Sequence, residues 1–344
     1  MERSRPGRPY EPSWIDRLTD FIARLPGPWW VVYAVALSIL LIVTHAAAWA
    51  DGTLTPGTLD LYLSSLAIYP VVPLVAIYYL DIKASAALDE MRPALSAGDD
   101  LELLRYRITT MPPVAALIWS GIGLAFAFIY VAFGLAIPVQ QGGPAVRAVD
   151  MTIALVAFPL ISVLFFHTVR QLRLIGDIQR QIPTIDLFQL RPLYAFSGVT
   201  SRSGLLILAL AYVSAATDPS TFVLTNPTIF AFVVVATVLA IATFILPLLG
   251  TQHRIAKEKA DALAEVNSDL KSVLSEVSRR ARSGDLTDAD AVNKHLASAI
   301  AQRDLVARIP TWPWEPTTLR GFVTAVVLPI ALWLVFRVLE RVTV

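Results

Sequence analysis

Long uncharged apolar runs alternate with short polar connections along most of this chain, and that alternation restricts the folds open to it more than any other feature. The runs lie near Trp29–Ala50, Leu61–Leu80, Val114–Ile137, Met151–His167, Ser203–Thr217, Pro227–Gly250 and Gly321–Phe336. A bilayer's hydrocarbon core takes about 20 mainly apolar residues per helix, so the expected fold class is an all-α integral membrane protein with about seven transmembrane helices. The fifth and seventh runs are about 15 and 16 residues long, just below the usual span of about 17–25. Composition agrees: the chain is 56% hydrophobic and 16% charged, against about 25% charged in a soluble domain.

Basic residues orient the helices, because Lys and Arg in short flanking loops stay cytoplasmic. With the N-terminus inside, that side carries Arg17 and Arg24, then Lys83, Arg92, Arg105 and Arg107, then Arg170, Arg173, Arg180, Arg191 and Arg202. The opposite connections, 51–60, 138–150 and 218–226, hold Arg147 alone. Parity requires the fifth run to cross; otherwise Arg254, Lys257 and Lys259 would be exported. The seventh, followed by Arg337 and Arg341, either crosses or lies as an interfacial or re-entrant helix. The expected location is the cytoplasmic membrane, with the C-terminus outside.

Four segments follow. Residues 1–28 form a cytoplasmic amphipathic segment: Ser13 with Asp16 makes a capping box, and Trp14, Ile15, Leu18, Phe21, Ile22 and Leu25 recur at helical spacing until Pro26-Gly27-Pro28. This helix lies either on the inner membrane surface or on the protein's own cytoplasmic loops. Residues 29–250 form a six-helix bundle. Residues 251–310 form a cytoplasmic helical hairpin, and 311–344 combine a Trp312-Pro313-Trp314 headgroup anchor with the last apolar helix.

The hairpin is predicted from a run without Pro or Gly between Gly250 and Gly284, which lets the sixth span continue to about Arg282 as one helix. Leu263, Val266, Leu270, Val273 and Val277 alternate three and four apart, the seam of a short coiled coil. Thr287 and Asp288 start a return helix whose apolar positions are Val292, Leu296, Ile300 and Leu305, ending at Pro310. The seam either pairs with the return helix or joins a second copy or a partner helix. Residues 184–196, aromatic and aliphatic around Pro192, read as a short interfacial helix.

Chemistry is limited. A formal charge of +1, from 28 basic and 27 acidic residues, marks no nucleic-acid partner, and the absence of cysteine excludes disulfides, iron–sulfur ligation and thiol nucleophiles. The seven runs hold no Asp, Glu, Lys or Arg in their interiors, which disfavours a proton-coupled or charged-substrate pump. His45, His167, His253 and His295 show no metal-ligand spacing, and no nucleophile elbow, phosphate loop or dinucleotide fingerprint occurs. No cofactor, metal or catalytic residue is expected.

Two irregularities stand out. Pro70 and Pro73 deprive the carbonyls of Leu66 and Tyr69 of helical partners, either a simple kink or the wall of a polar path that would include Tyr69, Pro70, Pro73, Ser120 and Gly123. Ala116, Ser120, Gly123 and Ala127, with Gly134, form a small-residue seam for close helix packing. Pro159, Pro247 and Pro329 mark further kink candidates. The functional expectation is a non-enzymatic oligomeric scaffold or sensor that uses the hairpin seam for self-association or for a cytoplasmic protein partner. The alternative is an uncoupled channel or facilitator along the polar path.

Overall fold

The structure, a computed structural model, describes residues 8–96, 98, 100–132, 142–182, 185–217, 227–283 and 289–343. Regular structure among them is wholly helical. In chain order the α-helices are α1 (Trp14–Ala23), α2 (Trp29–Ala50), α3 (Leu61–Leu66), α4 (Ile68–Met91), α5 (Leu101–Thr109), α6 (Pro113–Ala132), α7 (Pro144–Arg180), α8 (Arg191–Tyr194), α9 (Ser197–Thr217), α10 (Pro227–Ser283), α11 (Ala289–Arg308) and α12 (Pro316–Thr343). Six helical stretches are long and apolar enough to cross a membrane: Trp29–Ala50, Leu61–Ala94, Leu101–Ala132, Pro144–Arg180, Arg191–Thr217 and Val233–Arg280. The seventh expected span contributes a shorter apolar stretch, Pro316–Leu328. Outward faces carry large apolar side chains such as Ile42, Phe128 and Val238, an exterior suited to hydrocarbon.

Helix α7 is central. Helix α6 packs along it, α4 and α2 flank it, and α9 pairs with α10 and α12 on the other side. Gly123 sets the α6–α7 approach: a Cβ there would stand 2.4 Å from the Phe158 carbonyl oxygen and 2.6 Å from Pro159 Cα. Ala116, Gly123 and Ala127 are buried on the same face of α6, so the small-residue seam packs within the bundle. Gly134 lies outside the described residues.

At the end away from the hairpin, the loop after α2 caps α7. Asp51 Oδ2 accepts from Val146 N at 3.0 Å, and Thr53 Oγ1 accepts from Gly143 N at 2.9 Å. The Thr53 hydroxyl, donating to Asp51 Oδ1, and then the Val146 amide hold the Asp51 carboxyl below its ordinary pKa.

Three sequence expectations need correction. The fifth helix is not short: α9 starts at Ser197, six residues before the apolar run. Ser197, Thr200 and Ser203 donate to the carbonyls of Tyr194, Ser197 and Val199, which lets a polar first half be buried. The helix expected around Pro192 is only the single turn α8, with Leu190, Leu193 and Phe196 buried against α4, α5 and α7 residues and Phe188 strongly exposed. On α11 the buried positions are Ala299 and Val306, with Val292 and Leu296 half-buried, while Ile300 and Leu305 face outward. Helical spacing from Leu296 reaches the small Ala299 before the larger Ile300.

Candidate functional site

Helix α10 is continuous for 57 residues, about 85 Å at 1.5 Å per residue, and forms the root and first limb of the hairpin. At the root, Arg254 donates from Nη1 to the carbonyl of Gln179 at 2.9 Å and from Nη2 to that of Ile182. These carbonyls lie at and just past the C-terminus of α7, where a cation also complements the helix dipole. Lys259 does the same for α11, donating from Nζ to the carbonyls of Ala307 and Ile309 at 2.7 Å each. Farther out, Arg303 Nε donates to Asn267 Oδ1 at 3.2 Å. Near the tip, Arg279 and Arg280 hold the half-buried Glu276 carboxyl down to about 2.

Leu263, Val266, Leu270, Val273 and Val277 are each half-buried on this limb, and α11 packs along it. Gly284, Thr287 and Asp288 lie outside the described residues. Replacing Lys259 by methionine is expected to cost the hairpin about 1 kcal/mol. The check is faster hydrogen exchange over residues 303–308, with α7 unchanged.

A second constellation lies where α1 meets α4, α6 and α7. The capping box forms as predicted: Asp16 Oδ2 accepts from Ser13 N at 2.8 Å and Ser13 Oγ at 2.7 Å, and also from Met111 N at 3.0 Å. Ile15 is fully buried with Ile77, Leu160 and Val163. Helix α1 is therefore packed on the protein, with Phe21 on its exposed side. Tyr10 donates to the Thr110 carbonyl and accepts from Arg170. Beneath these groups, His167 is fully buried with Nε2 at ion-pair distance, 3.0 Å, from Asp81 Oδ1. Gln171 Nε2 donates to the same Asp81 oxygen and to the Ile108 carbonyl, each at 3.2 Å. His167 Nδ1, Arg170 Nη1 and Gln171 Oε1 are buried without a protein hydrogen-bond partner.

Tyr10, Asp16, Asp81, His167, Arg170 and Gln171 do not stand out from the sequence as a site, because they come from three separate segments, with Asp16 read as half of a helix cap and His167 as the end of an apolar run. The available signal is that no Pro or Gly follows Leu80 or His167 for a full turn. The helices accordingly run past these apolar runs to Met91 and Arg180 and carry Asp81 and Arg170 in their interiors.

Burial raises the Asp16 carboxyl above its ordinary pKa, against the opposing bonds from Ser13 and Met111 and the nearby His167. Docked Asp16 therefore keeps its proton to higher pH than it does undocked. Docking of α1 is expected to be tightest below the ordinary carboxylate range and to weaken as pH rises to the elevated value. Hydrogen exchange of α1, normalised to intrinsic rates, should show this trend in the native chain and lose it in Asp16→Asn.

The proposed polar-path residues do not converge. Tyr69 and Ser214 share a hydrogen bond between α4 and α9 at 2.9 Å. Ser120 accepts from Trp14 Nε1 at 3.2 Å and donates to Ala116 O, while Gly123 faces Phe158 and Pro159. Pro70 and Pro73 are buried. The helix breaks between α3 and α4 at Ala67, next to the Leu66 carbonyl that the Pro70 ring crowds.

His45 is an anchor: its Nδ1 pairs with the Leu41 carbonyl at 2.8 Å, and its Nε2 accepts from Asp60 N at 3.2 Å. Among the described residues no three His, Asp or Glu side chains are grouped to hold a metal ion. No protein-family model matches the chain, and neither a curated protein nor a solved structure matches it.

Proposed function

We propose that this chain is a non-enzymatic, multi-pass membrane scaffold or sensor whose α10–α11 hairpin is a cytoplasmic arm that recruits a protein partner. The observation that carries this reading is the uninterrupted passage of α10 from the apolar bundle into the arm, braced at its root by Arg254. Such continuity transmits the position of the bundle to the arm without a flexible linker. The basic loops on the arm's side support a cytoplasmic placement with the N-terminus inside and the far C-terminus outside.

Recruitment fits better than seam-to-seam self-association. The seam from Leu263 to Val277 is half-buried alongside α11, whereas Leu274, Ile300 and Leu305 offer apolar contact on the outer faces.

The absence of native cysteine makes single-cysteine crosslinking decisive. Crosslinkers at Ile300 and Leu305 should give one defined adduct in native membranes, absent when 260–308 is deleted. Homodimer products at Val266 or Val273 would instead establish self-association, and no adduct at any of the four positions would end the recruitment reading.

The facilitator reading retains one observation in its favour, the unpartnered buried polar atoms of His167, Arg170 and Gln171 beneath α1. Solute flux into proteoliposomes, raised by removal of residues 1–24, is the result that would support it.

A further inference from the structure

Two cations converge on one tyrosine where α4 and α9 pack together near the hairpin end. Lys83 Nζ lies 5.5 Å from the centre of the Tyr79 ring, one turn away on α4. From α9, Arg202 Nε donates to the Tyr79 hydroxyl at 3.0 Å, and Arg202 Nη1 donates to its own helix at the Gly198 carbonyl at 2.8 Å. All three side chains are half-buried. Among the described residues no carboxylate lies within ion-pairing distance of either cation, whereas the half-buried Arg105 and Arg280 are paired with Asp89 and Glu276.

What remains at this spot is three unused donors and no acceptor. Lys83 Nζ, Arg202 Nη2 and the Tyr79 O–H have no protein acceptor among the described residues, while the Tyr79 oxygen accepts from Arg202 Nε. Two positive charges held close to one tyrosine without a counter-ion repel each other, and an anion placed between them would relieve that repulsion. A phosphate oxygen group, which only accepts, matches a set that only donates.

We propose that Lys83, Arg202 and Tyr79 form a binding site for the headgroup phosphate of an anionic phospholipid. The site rests on the membrane reading given above. Lys83 and Arg202 each stand at the end of an apolar run, Leu61–Leu80 and Ser203–Thr217, which sets them at headgroup level on the side favoured by basic residues. Beside Lys83, Ile82 is 40% exposed and continues the apolar surface along which an acyl chain would lie. A free phosphate ion would meet the same three donors but gain nothing from that surface.

The test uses the full chain purified in a neutral detergent, with thermal unfolding followed as phosphatidylglycerol, phosphatidylcholine or inorganic phosphate is titrated in. Phosphatidylglycerol should raise the melting temperature of the native chain, and the other two should leave it in place. In the Lys83→Gln/Arg202→Gln variant the apparent affinity for phosphatidylglycerol should fall roughly thirtyfold. Arg173→Gln, which removes an exposed base on α7, should retain the native response.

A full response in the double variant, or an equal response to phosphatidylcholine, overturns the site. An equal response to inorganic phosphate overturns its assignment to a lipid. Should the double variant fail to fold, Lys83→Gln alone, which leaves the Arg202–Tyr79 bond intact, carries the same comparison. A chain that stays folded without detergent would defeat the membrane reading itself. A detergent-dependent chain with no selective response defeats only this site.

Discussion

Gly123→Ala should destabilise the bundle by about 3 kcal/mol, at the upper end of overpacking costs, while Gly121→Ala should leave stability unchanged or slightly raised. The two glycines are two residues apart on α6, so propensity favours alanine equally at both. They differ in what lies opposite. A methyl group at Gly121 meets nothing within 4 Å, whereas at Gly123 it meets the Phe158 carbonyl and the Pro159 backbone of α7. Backbone cannot rotate away as a side chain can, so α6 must back off and lose contact along its length. Unfolding in detergent by heat or by added sodium dodecyl sulfate measures both variants. Equal stabilities would mean that α6 and α7 are not apposed as described.

Removing the Asp81 carboxylate should be comparably damaging. His167 has no exposed side-chain surface, and among the described residues the carboxylate within ion-pair distance of its Nε2 is that of Asp81. Asp81→Ala strands that imidazole and releases one of the two Gln171 bonds, with an expected cost on the order of 3 kcal/mol. A double-mutant cycle isolates the pair: in a His167→Phe background the same Asp81→Ala change should cost less than about 1 kcal/mol. Costs that simply add would show that Asp81 acts through Gln171 and solvent, and that the ion pair contributes nothing.

The parts legible in the sequence are those whose signal is local. Spans follow from runs of apolar residues, the α1 cap from Ser13 and Asp16, and the length of α10 from the missing Pro and Gly between 251 and 283. What escaped depends on distant partners. Tyr10 and Arg170 are 160 residues apart, and nothing near either announces the other. The α11 stripe was misjudged for a different reason: hydrophobicity favours Ile300 and Leu305, while the geometry of a close helix pair favours the small Ala299. The residues of the candidate path each meet a different neighbour, Tyr69 at Ser214, Ser120 at Trp14 and Gly123 at the α7 backbone, contacts that no local pattern announces.

The long tenth helix also has a mechanical consequence. Arg254 fastens it to the end of α7 with about 30 residues, roughly 45 Å, of rod still to come. The fastening acts as a fulcrum, and a tilt of about 5° below it would swing the far tip by roughly 4 Å. The helix below the fulcrum, about 27 residues from Pro227 to Arg254, is nearly as long as the rod above it, so a shift of α10 within the bundle would reach the tip at about the same size.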